Sequence, residues 1–124
     1  MNGKKVLVVD DEKAFRFLIS KSLEKAGYEV ISAENGQEAV EKALRVHPEA
    51  ILMDLYMPLK DGMTAVREIR QDVWGKTAQI VILTNVDYPE SMRESQELKI
   101  EHYIVKSNQS LAGIVGLVDK ITKA

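Results

Sequence analysis

Val6-Leu7-Val8-Val9-Asp10-Asp11-Glu12 is the stretch that decides the fold: four apolar residues, three of them β-branched, run without interruption into three acids. An apolar run this short and unbroken reads as a strand covered on both faces, because a strand with one wet face alternates apolar with polar residues. Downstream, Phe15, Leu18, Ile19, Ser22, Leu23 and Ala26 recur three and four apart and Gly27 follows them, the pattern of an amphipathic helix and its C-terminal stop. The same kind of apolar run returns at Ala50-Ile51-Leu52-Met53, Ile80-Val81-Ile82-Leu83 and Tyr103-Ile104-Val105. Tyr28-Glu29-Val30-Ile31-Ser32 mixes polar with apolar positions and is expected at a sheet edge. Helical spacing recurs in Ala39, Val40, Ala43 and Leu44, and in Leu111, Ile114, Val115, Val118 and Ile121. Residues 91–98 make a weaker helix, with only Met92 and Leu98 on an apolar stripe, and are expected to be loosely held. Strand and helix alternate five times, which predicts an α/β fold: a (βα)5 doubly wound five-stranded parallel sheet with right-handed crossovers, one domain over residues 1–124.

Composition bounds the function. Hydrophobic residues make up 45% and charged residues 29%, a globular balance. Seventeen Lys and Arg against nineteen Asp and Glu leave a net charge of −2, far from the basic excess that phosphate-backbone binding requires, so no direct nucleic-acid partner is expected. With no cysteine there is no disulfide, thiolate nucleophile or Cys-ligated metal. Only four apolar residues follow Met1-Asn2-Gly3-Lys4-Lys5, too few for a signal-peptide core or a membrane span, and the chain is read as cytoplasmic, with no membrane insertion.

In an open parallel sheet, ligands bind beyond the carboxyl ends of the strands, where the strand order switches. There the chain places Asp10, Asp11 and Glu12, then Asp54, then Thr84 and Asn85, then Lys106 and Ser107. Carboxylates forced together repel, and a hard cation or a shared proton is the usual offset. Asp10, Asp11 and Asp54 therefore suggest a Mg²⁺ site, since Mg²⁺ takes one or two carboxylates plus phosphate oxygens and keeps several waters. Lys106 adds a positive charge and Thr84 a hydroxyl donor. Carboxylate nucleophile, metal, lysine and donor are the groups a phosphoryl transfer needs.

With these residues in view, the chain resembles the receiver domain of two-component response regulators over essentially its whole length. Val-Asp-Asp-Glu at 9–12 matches the acidic end of the first strand, and Asp54-Leu55-Tyr56-Met57-Pro58-Leu59-Lys60-Asp61-Gly62 is similar to the D-x-x-M-P-x-x-D-G signature. Ala33-Glu34-Asn35-Gly36-Gln37-Glu38-Ala39 is similar to the second loop and helix start, and Thr84 and Lys106 fall 30 and 52 residues after Asp54, as the family spaces them. The resemblance implies the flavodoxin-like strand order 2-1-3-4-5. It makes Asp54 the phosphoacceptor, Asp11 a direct Mg²⁺ ligand, Asp10 a ligand directly or through water, and the backbone carbonyl of Tyr56 the remaining protein ligand. Lys106 would pair with the phosphoryl oxygens or, without phosphate, with Asp54. Thr84 and Tyr103 would form the switch. The implied partners are a sensor histidine kinase or histidine phosphotransfer protein, and a downstream protein, a second copy of the chain among the options, bound at the face of the fourth helix, fifth strand and fifth helix. No turnover enzyme is implied. No DNA-binding or enzymatic segment follows Lys123-Ala124, so the chain is read as a stand-alone receiver or a domain excised from a larger regulator.

The chain departs from the family pattern at three places. Ser107 replaces the usual proline, often preceded by a cis bond, which leaves the bond after Lys106 open. Asn85 replaces a small residue and is expected to restrict water and slow hydrolysis. Lys99-Ile100 replaces a Gly-Ala that ends the fourth helix, and an irregular or shortened end is expected.

Each residue also has a plainer reading. Asp10 and Asp11 could cap a helix, Asp54 could be a turn residue, Thr84 a cap and Lys106 a solvated cation; their joint spacing argues otherwise. Asp61-Gly62 is read as turn chemistry, Gly62 supplying positive φ. His47 and His102 lack a second imidazole at ligand spacing and are read as surface residues. Trp74-Gly75 is expected in a loop packed against a helix. Gly113 and Gly116 weaken the last helix by about 1 kcal/mol each. The competing functions are a receiver-like interaction module that works without phosphorylation, an aspartyl-phosphate phosphatase, which would typically have a second Asp where Tyr56 stands, and a flavodoxin-like cofactor binder, for which the Gly-rich loop is missing.

Overall fold

Val6 to Val9 alternate between two apolar layers instead of between core and water, which is why the run contains no polar residue. In the computed structural model, which describes residues 3–85 and 88–123, Val6 and Val8 pack with Ile19, Leu23, Ile114 and Val118, while Leu7 and Val9 pack with Ala39, Ala43, Val66 and Ile69. Met1, Asn2 and Ala124, the ends of the span expected as one domain, lie outside the described residues.

Five parallel strands, β1 (Lys5–Val9), β2 (Glu29–Ala33), β3 (Ala50–Met53), β4 (Ile80–Thr84) and β5 (His102–Val105), lie in the order β2-β1-β3-β4-β5. Helices α1 (Lys13–Lys25) and α5 (Leu111–Thr122) cover one face. Helices α2 (Gly36–Val46) and α3 (Gly62–Gln71) cover the other, and α4 (Pro89–Glu97) runs into Leu98 and Ile100, which join that second layer. The expected fold and strand order are those observed. β2 is the edge expected of its mixed composition, and Lys42 Nζ donates to the Ser32 carbonyl at 2.6 Å along it. No helix among the described residues is long and apolar enough to cross a membrane.

Several local expectations need correcting. Leu18, placed on the buried stripe of α1, is 51% exposed beside Phe17 at 59%; the helix turns inward only along Ile19 and Leu23, and Leu18 lies about 100° round the axis from Ile19. Gly62 does not supply the positive φ of its loop. That conformation falls on Leu59 (φ 68°), and Gly62 is the first residue of α3. A Cβ on Gly62 would lie 2.0 Å from the Asp54 carbonyl oxygen, so close approach is the reason for glycine there. The end of α4 is regular: Lys99 N–H donates to Gln96 O at 3.0 Å and Ile100 N–H to Ser95 O at 2.9 Å, with Lys99 itself left-handed at φ 60°. Arg70 supports this turn by donating to the carbonyls of Leu98 at 2.9 Å and Lys99 at 3.4 Å. The Lys106-Ser107 bond is trans, and residues 106–108 form a single 3₁₀ turn. Trp74 opens another 3₁₀ turn and stacks on His47, ring centroids 4.5 Å apart, at the end of α2. His47 is exposed as expected, whereas His102 is half-buried in β5.

Helix α4 buries few of its own side chains. Ser95 is its one buried residue, and side-chain links fasten the rest: Tyr56 Oη to Ser91 Oγ at 3.1 Å, and an ion pair between Arg67 and Glu94.

Candidate functional site

Strand register brings the acids together before any side-chain preference enters. Val9 lies opposite Met53, and the ladder continues one step further, with Asp54 N–H donating to Val9 O at 3.0 Å and Asp10 N–H to Ala33 O at 3.1 Å. Asp10 and Asp54 therefore leave neighbouring strands at adjacent positions. Thr84 pairs with Val105, so Lys106 follows one residue beyond it. Alternation then sorts the groups: Asp10, Asp54 and Lys106 are in phase with Val8, Leu52 and Ile104, which face α1 and α5, while Thr84 and Tyr103 are in phase with Ile82, which faces the other layer.

Oxygen atoms of Asp10, Asp11 and Asp54 all lie within 4.8 Å of one another. Asp10 and Asp54 are buried, at 2% and 5% exposure, and Asp11 is exposed. Burial first, and the neighbouring Asp10 carboxylate next, push the Asp54 carboxyl up to about 7, with Asp11 adding to the rise and Lys106 and the Leu55 N–H opposing it. Asp54 Oδ1 accepts the Leu55 N–H at 2.9 Å, which fixes the carboxyl plane.

Asp10 is not a helix cap. Glu12 occupies the N-cap position of α1 without a side-chain hydrogen bond, and Asp10 Oδ1 accepts the Glu12 N–H at 2.9 Å. Its other oxygen, Oδ2, takes Lys106 Nζ at 2.6 Å. Lys106, expected to pair with Asp54, is thus paired with Asp10, and approaches Glu12 at 4.0 Å. Lys106 is not a solvated cation either, its side chain being 8% exposed. Thr84 is fully buried at the end of β4, and Tyr103 is half-buried against the layer that holds Leu98 and Met57. The Tyr56 ring is directed to α4, where it meets Tyr88 edge-on at 6.0 Å.

Two contributors, Phe15 and Arg16, were not singled out in the sequence. Phe15 looked like a core residue of α1, yet the Lys106 ammonium lies 4.3 Å from its ring centroid. Arg16 donates to the Asp10 carbonyl at 2.7 Å and pairs with Glu34 at 3.4 Å, tying α1 to the loop after β2; its position four residues after Glu12 was the available hint. The donor set is all oxygen, converges from two strand ends and is open to solvent through Asp11, so the cluster could hold a hard cation.

The model of the response regulator receiver domain matches residues 6–115. The chemotaxis protein CheY of Halobacterium salinarum is 34% identical over 120 residues, covering 97% of this chain and 98% of that protein. The transcriptional regulatory protein ResD of Bacillus subtilis is 39% identical over 105 residues, 85% of this chain, and the match takes up 42% of ResD. Among solved structures, the receiver domain of a sensor histidine kinase from Pseudomonas aeruginosa, which has a magnesium ion coordinated in its active site cleft, superposes with a TM-score of 0.88 at 28% identity, covering 98% of this chain and 99% of that one. Receiver domains are signalling switches that interact with histidine kinases and downstream effectors. The family match spans all of the strand ends that build the acidic cluster, and the chain belongs to the response regulator receiver domain family of two-component signalling.

Proposed function

We propose that Asp54 accepts a phosphoryl group from a sensor histidine kinase or a histidine phosphotransfer protein, and that residues 1–124 act as one cytoplasmic receiver domain. The observation that carries this reading is the convergence on a buried Asp54 of two more carboxylates and one buried ammonium. With Oδ1 engaged by the Leu55 N–H, Asp54 Oδ2 is the attacking oxygen. It bonds to phosphorus, the P–N bond of the donor breaks, and the imidazole nitrogen leaves with the electron pair and takes up a proton.

The three carboxylates fit Mg²⁺; Asp11, Asp54 and the backbone carbonyl of Tyr56 would be its ligands, with Asp10 acting directly or through water. Mg²⁺ supplies charge neutralisation for the carboxylates and the phosphoryl oxygens. Lys106 exchanges Asp10 for the transferred phosphoryl oxygens, and the Thr84 hydroxyl donates to one of them. Thr84 and Tyr103 face the same layer on adjacent strands, so movement of the first reaches the second and through it the α4-β5-α5 face. A downstream protein, or a second copy of the chain, binds that face. The product stays on the protein, so the chain is a switch and not a turnover enzyme. Asn85, exposed next to Thr84, limits water approach and prolongs the phosphorylated state.

Incubation with acetyl phosphate, with and without Mg²⁺, tests this by intact mass. A Mg²⁺-dependent adduct that persists for minutes and is lost in Asp54→Asn is expected. No adduct on the unmodified chain would refute the reading, and an adduct that vanishes within seconds while phosphate is continuously released would favour a phosphatase.

A further inference from the structure

A lysine side chain is long and flexible, so its ammonium is placed by what surrounds it. Among the described residues Lys106 makes two ion pairs, with Asp10 Oδ2 at 2.6 Å and with Glu12 at 4.0 Å. Its third neighbour is uncharged: Nζ lies over the Phe15 ring, 4.3 Å from the centroid. Phe15 stands in the first turn of α1, half-buried against the layer of Val8, Ile19 and Leu52, so the core fixes its orientation. A cation withdrawn from water gains more from a ring face than an exposed one does, and this side chain is 8% exposed.

We propose that Phe15 is a positioning residue for Lys106, its ring face keeping the ammonium at the acidic cluster while the lysine changes partner. The proposal rests on the phosphoacceptor reading of Asp54. When a phosphoryl group arrives there, the ammonium has to leave Asp10 Oδ2 for new oxygens. A hydrogen bond to one carboxylate oxygen is directional and opposes that move. Attraction to a ring face is broad, and a ring anchored in the core does not move with either partner, so Phe15 keeps the ammonium within reach of both.

The test replaces Phe15 in the full chain by mono-, di- and trifluorinated phenylalanine, which drain the negative ring face while nearly keeping its shape, and by leucine. The initial rate of the Mg²⁺-dependent acetyl phosphate adduct and the urea midpoint are both read. The rate is expected to fall stepwise with each fluorine, by about threefold to tenfold across the series, with midpoints unchanged or raised. Phe15→Leu should match the trifluorinated chain. A flat series in a chain that does form the adduct, or a leucine variant at the full rate, would overturn the role of the ring alone. A chain that forms no adduct even with Phe15 intact would overturn the phosphoacceptor reading and this proposal with it.

Discussion

Asp54 carries a cost that the sequence hints at and the structure makes measurable. In the unfolded chain its carboxyl ionises near 3.8, and in the folded protein burial and Asp10 raise it to about 7. Between those values the folded protein holds a proton that the unfolded chain has lost. Stability contributed by this group therefore declines as pH rises from about 4 to about 7, and stays low above. Asp54→Asn keeps the shape and removes the charge. It should leave urea stability unchanged near pH 4 and raise it by ~1–3 kcal/mol near pH 8, and saturating Mg²⁺ should narrow the difference by stabilising the unsubstituted chain. Equal gains at both pH values would mean that the buried charge is not what Asn relieves. Asp10, Asp54, Thr84 and Lys106 were legible because each ends an apolar run, and Asp11 because it adjoins Asp10. The Lys106 pairing with Asp10 and the Phe15 contact were not, since both join residues about ninety positions apart and leave no spacing to read.

At the scale of elements, strands were the easiest to read and helix faces the hardest. A parallel strand covered on both sides needs only a short apolar run, and all four such runs became strands. A helix face depends on which neighbours reach it: Leu18 has the right spacing and lies in water, because Ile19 and Leu23 already fill the contact with the sheet. The end of α4 was misjudged for another reason. Absence of glycine says that a left-handed turn is costly, not that it is avoided, and Arg70 holds the carbonyls that make Lys99 adopt it. Relief of that cost is testable. Lys99→Gly should stabilise the chain by about 1 kcal/mol in urea denaturation. A destabilised variant would show that the lysine side chain contributes more than its backbone costs.

On the scale of the whole molecule, the site is a set of strand ends clamped by helix starts. Gly62 N–H donates to Leu55 O at 2.8 Å and Gly36 N–H to Lys60 O at 2.9 Å, so the loop after β3 is pinned to α3 and to α2. Both contacts need glycine, since a Cβ would fall 2.0 Å from Asp54 O in one case and 2.3 Å from Lys60 O in the other. The sequence marked Gly62 as a turn residue, because close approach between elements leaves the same local signature as a turn. Gly62→Ala meets backbone that cannot step aside, and should cost about 3 kcal/mol or more of stability and slow adduct formation at Asp54. A Gly62→Ala chain of ordinary stability would show that the strand end and α3 are not rigidly joined. What unites the three scales is the identity of the acceptor, and borohydride reduction after treatment with acetyl phosphate and Mg²⁺ reads it directly, because an aspartyl phosphate is reduced to homoserine at the acceptor position. Peptide mapping is expected to find homoserine at position 54 and nowhere else; homoserine at position 10 or 11, or none at all, would contradict the assignment.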